Sequence, residues 1–301
     1  MTRNVKPAVF ASFAADALAL GVHWIYDTHR IAGEYGRVET LLEPSADSYH
    51  PSKERGDFTH YGDQTLVLLE SLASKKDFDL HDFSARWRHL FKNYDGYYDQ
   101  ASKDTLKNFS LGKSPQEAGS SSTDLAGASR IAPLLYLYRD DLAKLVSAAK
   151  AQTGMTHHNI EVIESADFFA RVSWSVLHGM TPTNAMEEAS HEFFQQSDIF
   201  QWVKAGIESS ESDSVDAIGA LGQSCSAEEA FPGVVHLITK YENDLEEALI
   251  QCVMAGGDSA GRGMIVGLVL GAYLGEEGLP RQWTTEMKKA PNILELLKNI
   301  G

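Results

Sequence analysis

The stretch that most constrains the fold is Ala255-Gly-Gly-Asp-Ser-Ala-Gly-Arg-Gly-Met-Ile-Val-Gly-Leu-Val-Leu-Gly-Ala-Tyr-Leu-Gly275. Gly256-Gly257 is a turn signal, Asp258 and Ser259 stand where a helix N-cap belongs, and small and apolar residues follow for about four turns. Read as a helix, the run puts Gly263, Gly267 and Gly271 on one face, with Ala260 and Gly275 on the same line. Each glycine costs roughly 1 kcal/mol against alanine in a helix interior. The pattern therefore predicts a second helix packed to backbone contact in an all-α core. Asp258, at the N-terminus, carries a carboxylate toward a site.

At 301 residues the chain is long enough to bury a sizeable core. Its 42 acidic and 26 basic residues give a net charge of −16, a field that repels nucleic acid and anionic membranes. Cys225 and Cys252 are too few for a disulfide framework and fit a reducing compartment. The apolar run after Met1-Thr-Arg-Asn-Val-Lys-Pro7 is interrupted by Asp16, which argues against a leader peptide. Met264 to Leu274, the longest apolar run, is too short and glycine-rich to span a bilayer. The expectation is a soluble, cytoplasmic protein.

Helical spacing recurs along the rest of the chain. Pro7 to Leu20 reads as a helix with Val9, Phe10, Phe13, Ala14, Ala17 and Leu18 apolar and Asp16 among small residues. Asp27 to Tyr61 shows little periodicity and reads as a long loop. Its Tyr49, His50, Lys53, Arg55, Asp57, His60 and Tyr61 combine aromatic faces that stack on a base or sugar with donors that meet phosphates. An Ω-like loop pinned by its own aromatics is the equal alternative. Tyr61-Gly62-Asp63-Gln64-Thr65 leads into a buried helix, with Asp63 as its N-cap in the plainest reading. Phe83, Trp87, Leu90 and Phe91 sit at helical spacing between Asp79 and Tyr97 and read as core. Pro115 to Asp124 is a serine-rich loop, and Asp140 to Gln152 a helix closed by Gly154.

Thr156-His157-His158-Asn159 caps a helix from Ile160 to Gly179; adjacent histidines point about 100° apart and cannot chelate one metal from one face. Thr183 to Gln195 and Asp198 to Glu208 are further helices, and Ser226 caps one that contains Pro232. Cys225 reads as a structural thiol, or as one activated by that helix's dipole. Asp244 to Met254 precedes the glycine stretch, and Pro280 and Pro291 break a tail that ends in Ile293 to Ile300. The sum is at least ten helices, no sheet of consequence, and one domain over residues 1–301.

Six ordered segments resemble one family. Ala15-Asp16-Ala17-Leu18 is similar to the GDAL of the opening helix of the ADP-ribosylglycohydrolases, and Asp63 and Thr65 match their (S/T)DDT signature. Ala128, Arg130 and Ile131-Ala132-Pro133 match the GNGAAMR-IAPL string, Thr156 to Asn159 the THN segment, and Gln223 to Phe231 the GxGWVAEEA stretch with Cys225 near the usual Trp. Gly256-Gly257-Asp258 and Gly271-Ala272-Tyr273-Leu274-Gly275 match GGDTDT and GAxxG. The chain thus resembles the dinitrogenase-reductase-activating glycohydrolase type. It resembles most the divergent branch of jellyfish J-crystallins and selenoprotein J, through His23-Trp24-Ile25-Tyr26 and Gly56-Asp57-Phe58-Thr59-His60-Tyr61-Gly62-Asp63-Gln64-Thr65.

The resemblance implies a single compact multi-helix fold and cleavage of a glycosidic bond between ADP-ribose and a protein side chain with two Mg2+ ions. Gly62, Gln64, Ala260 and Gly261 stand where that family has metal ligands. Asp63 and Asp258 remain as metal residues, and at most one weakly bound Mg2+ is expected, because Mg2+ demands a near-octahedral oxygen set. Where the family has a water-activating Glu, Val22 to Asp27 offers His23, a candidate base or a pocket residue. The implied cleft brings Asp16, Asp63 and Asp258 together with His23 as catalytic candidates. His50, Lys53, Arg55, His60, Tyr61 and Arg130 are its ligand contacts. Two functions follow: binding or hydrolysis of an ADP-ribose-like or other nucleotide-sugar small molecule, or a non-catalytic, crystallin-like structural or ligand-binding role. The oligomeric state is left open.

Overall fold

The computed structural model describes residues 5–301; Met1 to Asn4, part of the segment on which the leader argument rests, lie outside the described residues. Helix Ser259–Leu274 is buried from Ser259 to Ala272 and lies along Lys6–Ala19, so an early and a late helix meet in the centre. The glycine face explains the closeness of that contact. A Cβ on Gly267 would sit 2.5 Å from the Ala11 carbonyl oxygen and one on Gly271 2.9 Å from Ala8 Cα.

The other helices wrap this pair. Asn159 caps Ile160–Leu177, which packs on Leu142–Thr156 and on the glycine helix. Ala227–Lys240 packs on Asp198–Glu208 and on the glycine helix, while Ala290–Ile300 covers His60–Lys75. Phe168, Phe169 and Phe231 are fully buried between these layers. The described residues form seventeen α-helices and no strand, only isolated bridges between Ser120 and His157 and between Asp124 and Ser226. None of these helices is long and apolar enough to cross a membrane.

Four local expectations are corrected. The Asp27 to Tyr61 loop contains a helix, Thr28–Tyr35, capped by Asp27; only Ile31 of it is buried, so it leaves no apolar stripe to read. Helix Gln100–Ser110 was not foreseen, and its buried residues are Ala101, Ser102 and Thr105. Gly154 lies inside Leu142–Thr156 and does not close it. Asp63 is not an N-cap: Thr59 caps His60–Lys75, and Asp63 stands in the first turn. The core reading of Phe83, Trp87 and Phe91 holds.

Candidate functional site

The site is built where Gly256-Gly257 turns into the glycine helix. Both glycines have positive φ, 68° and 62°, and a Cβ on Gly257 would lie 2.1 Å from the Gln223 carbonyl oxygen, so only glycine fits that close crossing. Trp24 N donates to Gly257 O at 3.0 Å, and Gly257 N donates to Ile25 O at 2.9 Å. This clamp fixes Val22 to Tyr26 against the start of the helix. Trp24 itself takes φ 65°, a left-handed conformation that a bulky residue adopts only when its surroundings impose it.

Three carboxylates gather around the first turn of His60–Lys75. Asp16 is fully buried, with Oδ2 accepting from Thr59 N at 2.8 Å and Oδ1 from the Thr59 hydroxyl at 2.5 Å. Burial raises its pKa to about 6, against the pull of those hydrogen bonds. Its Oδ2 lies so near Gly62 that a Cβ there would approach to 2.4 Å. Asp63, one residue on, accepts from Lys53 Nζ at 2.5 Å and the Tyr94 hydroxyl at 2.6 Å, both on Oδ2. Asp258 Oδ1 caps the glycine helix through Gly261 N and stands 3.6 Å from His23 Nε2, while Oδ2 has no partner. Burial raises the Asp258 pKa, opposed by the nearby Arg262 guanidinium.

Beside the carboxylates, imidazoles from three separate segments pack together. The His50 ring centroid lies 5.4 Å from that of His23 and 5.7 Å from that of His60, both near-parallel. Trp24 stacks on His23 at 4.4 Å, Tyr61 meets His60 at 4.0 Å, and Tyr97 stands edge-on to His60 at 5.4 Å. All three histidines are buried, and none of their ring nitrogens makes a hydrogen bond. His60 Nε2 comes within 3.2 Å of Asp99 Oδ2, its closest charged neighbour. Burial holds His23 well below the usual imidazole range and His50 at about 3, so both are neutral near pH 7. The Asp99 carboxyl is pushed up by burial but ends below the usual range, because the His60 imidazole beside it outweighs that push. A pocket of about 200 Å3, lined by His23, Trp24, Tyr26, Arg30, Asp47 and Tyr49 among others, opens to solvent here, with Tyr26 and Tyr49 half-exposed at its rim.

The structure brings Asp16, Asp63, Asp258, His23, His50, Lys53, His60 and Tyr61 into this one region. Arg55 is set apart: its guanidinium pairs with Glu286 and is half-exposed. Arg130 is fully buried and its donors are used within the protein, by Gln152, Gln64 and Thr156. Sequence reasoning missed Tyr94, Tyr97, Asp99 and Asp124. Asp99 caps Gln100–Ser110 by accepting from Ser102 N, and an Asp of N-cap type was the available signal. Cys225 is not activated by the helix it precedes; burial and Asp124 push the thiol up, and burial together with Asp258 does the same to Asp124.

Several of the carboxylate oxygens are already engaged inside the protein. Both oxygens of Asp16 are engaged by Thr59, and Asp63 Oδ2 by a cation and a hydroxyl. Gln64 faces the core, its Oε1 accepting from Trp87 Nε1 and Arg130 and its Nε2 donating to His60 O. Among the described residues no group of three or more His, Cys, Asp or Glu side chains is placed to hold a metal ion.

Residues 2–300 match the family model described as ADP-ribosylglycohydrolase. The chain belongs to the ADP-ribosylglycohydrolase family. It is 27% identical to crystallin J1A of Tripedalia cystophora over 99% of this chain and 96% of that one. Identity to ADP-ribosylhydrolase ARH3 of Gallus gallus is 25%, over 80% of this chain and 78% of that one. A solved structure titled ADP-ribosylglycohydrolase-related protein complex superposes with a TM-score of 0.77 at 21% identity, covering 99% and 97% of the two chains. That likeness establishes the fold, and the all-α expectation holds.

Proposed function

We propose that the chain binds an ADP-ribose-like nucleotide sugar, seating the sugar at the imidazole and aromatic cluster without a two-Mg2+ centre. The observation that carries this reading is the set of buried ring nitrogens of His23 and His50 that make no hydrogen bond, packed against the His60–Asp99 pair. A buried polar group left unpaired costs roughly 1–3 kcal/mol. The neutral imidazoles of His23 and His50 each offer one donor and one acceptor, which complements a sugar hydroxyl. The flanking faces of Trp24, Tyr61 and Tyr97 suit the apolar side of a sugar ring. Family membership supports the ADP-ribose class of ligand. The small pocket has room for one ring, so the rest of the ligand would lie over the Tyr26 and Tyr49 rim. Two free cysteines fit a cytoplasmic setting.

Calorimetry and thermal melting with ADP-ribose, ADP and ribose test the reading. ADP-ribose is expected to bind saturably and to stabilise by about 2.7 kcal/mol at a hundred times its Kd, with ADP weaker because it lacks the terminal ribose. Little Mg2+-dependent release of ADP-ribose from modified Arg or Ser is expected. A non-catalytic, crystallin-like role is the second reading, favoured by the engagement of Asp16 and Asp63 inside the protein and by the crystallin relatives. A chain that responds to none of the three ligands would decide for it.

A further inference from the structure

Asp63 is the first-turn carboxylate that the family pattern assigns to a cation, and in this chain a side chain already supplies one. The Lys53 ammonium lies 2.5 Å from Asp63 Oδ2, with the two side chains only 13% and 15% exposed. The same oxygen accepts the Tyr94 hydroxyl, and the ammonium sits 5.1 Å from the Tyr94 ring centroid. We infer that Lys53 is a built-in counter-cation for the Asp16–Asp63 pair, and that a divalent ion gains this place only when Lys53 is removed.

The physical case has three parts. A lysine ammonium is a compact point charge with three donors, so it satisfies one carboxylate without the ring of oxygens that Mg2+ requires. Here the protein supplies little of such a ring around Asp63, because Gly62 offers no side chain, Gln64 points into the core and the oxygens of Asp16 are engaged by Thr59, so an ion taking the place of Lys53 would rest on Asp63 and water. Asp16 and Asp63 repel each other, Asp63 adding to the rise in the Asp16 pKa, and a fixed positive charge beside Asp63 offsets that repulsion.

The lysine is also delivered in place by contacts other than the one to Asp63. Lys53 N closes a turn onto His50 O, and the next residues are strapped to the C-terminal segment. Lys288 Nζ pairs with Glu54 and Asp57, Arg55 pairs with Glu286, and Lys288 N donates to Gly56 O. Gly56, at φ 83°, has no space for a Cβ, which would meet Glu286 O at 2.2 Å. The strap holds the ammonium over Asp63 before any ligand arrives.

The inference concerns the carboxylates alone and is read by direct ion binding, so it stands or falls separately from the ADP-ribose proposal. The test is Mn2+ binding followed by electron paramagnetic resonance, with Mg2+ competition, on the full-length wild type, Lys53→Ala and Lys53→Ala/Asp63→Asn. The expected result is one Mn2+ bound by Lys53→Ala at least roughly tenfold more tightly than by the wild type, and loss of that gain in the double variant. Lys53→Gln, which keeps the stem and removes the charge, is the second variant and is expected to gain affinity in the same direction. A variant that melts normally only when Mg2+ is present would support the inference equally. Equal Mn2+ affinity of wild type and both single variants would overturn it, as would a gain that survives Asp63→Asn.

Discussion

His50 shows how a single buried side chain couples this site to pH. Its folded pKa is depressed from 6.5 to about 3, mainly by burial, with His60 and Lys53 nearby adding to the effect. The unfolded chain therefore takes up a proton between those values that the folded chain refuses. Stability from His50 is fully present above pH 6.5 and is lost as pH falls toward the folded value, at up to about 1.4 kcal/mol per pH unit. Asp16 has the opposite sign: its pKa is raised to about 6, so its contribution is present at low pH and lost as pH rises through that value. Because the two oppose each other, the wild-type profile alone is a poor probe. The difference between wild type and His50→Asn isolates the imidazole. Urea unfolding at pH 7, 6 and 5 is expected to show the variant gaining on the wild type by about 1 kcal/mol for each unit of acidification, and parallel profiles would refute the assignment. The residue types at the site were legible in the sequence, because His50, Lys53, His60 and Asp63 crowd one aromatic stretch. What the sequence hid was partnership: nothing at positions 23, 50 and 60 states that three imidazoles share one buried space, or that Lys53 closes on Asp63.

Among the elements, the glycine helix was the most readable, because packing at backbone distance leaves a compositional trace that few other demands produce. The short helices Thr28–Tyr35 and Gln100–Ser110 were not readable as such, since their caps, Asp27 and Asp99, are clear but their buried faces are almost absent. The same contrast gives opposite outcomes for one chemical change. Gly267→Ala would place a methyl 2.5 Å from the Ala11 carbonyl oxygen, forcing the central helices apart. Overpacking of this kind costs about 1–3 kcal/mol, more than the roughly 1 kcal/mol gained in helix propensity. Gly33→Ala meets nothing within 4 Å and lies in a helix, so only the propensity gain remains. Thermal melts are expected to fall for Gly267→Ala and rise slightly for Gly33→Ala. Unchanged stability in Gly267→Ala would mean that the two helices pack less closely than the backbone places them.

At the scale of the whole molecule, the pairing of Lys6–Ala19 with Ser259–Leu274 makes the fold depend on its last third. The opening helix is apolar on nearly every side, with residues Pro7 to Ala19 buried apart from Phe10, and its main covering partner lies about 250 residues away in sequence. A helix of that character cannot stay in water, and closing so long a loop is entropically costly before the contact rewards it. The candidate site inherits the same dependence: Asp16 comes from the first helix, Asp258 caps the glycine helix, and the loop bearing Lys53 is strapped by Glu286 and Lys288. A chain ending at Ala255 therefore keeps most of the helical sequence while losing the element that buries the opening helix and closes the site. It is expected to retain much of its far-ultraviolet dichroism, to lose its near-ultraviolet signal and cooperative melt, and to bind a hydrophobic dye, the behaviour of a state whose specific packing is gone. A sharp melting transition with native-like near-ultraviolet dichroism in the truncated chain would show that the surrounding helices form a core of their own, and that the central pair is an addition to the fold and not its organising contact.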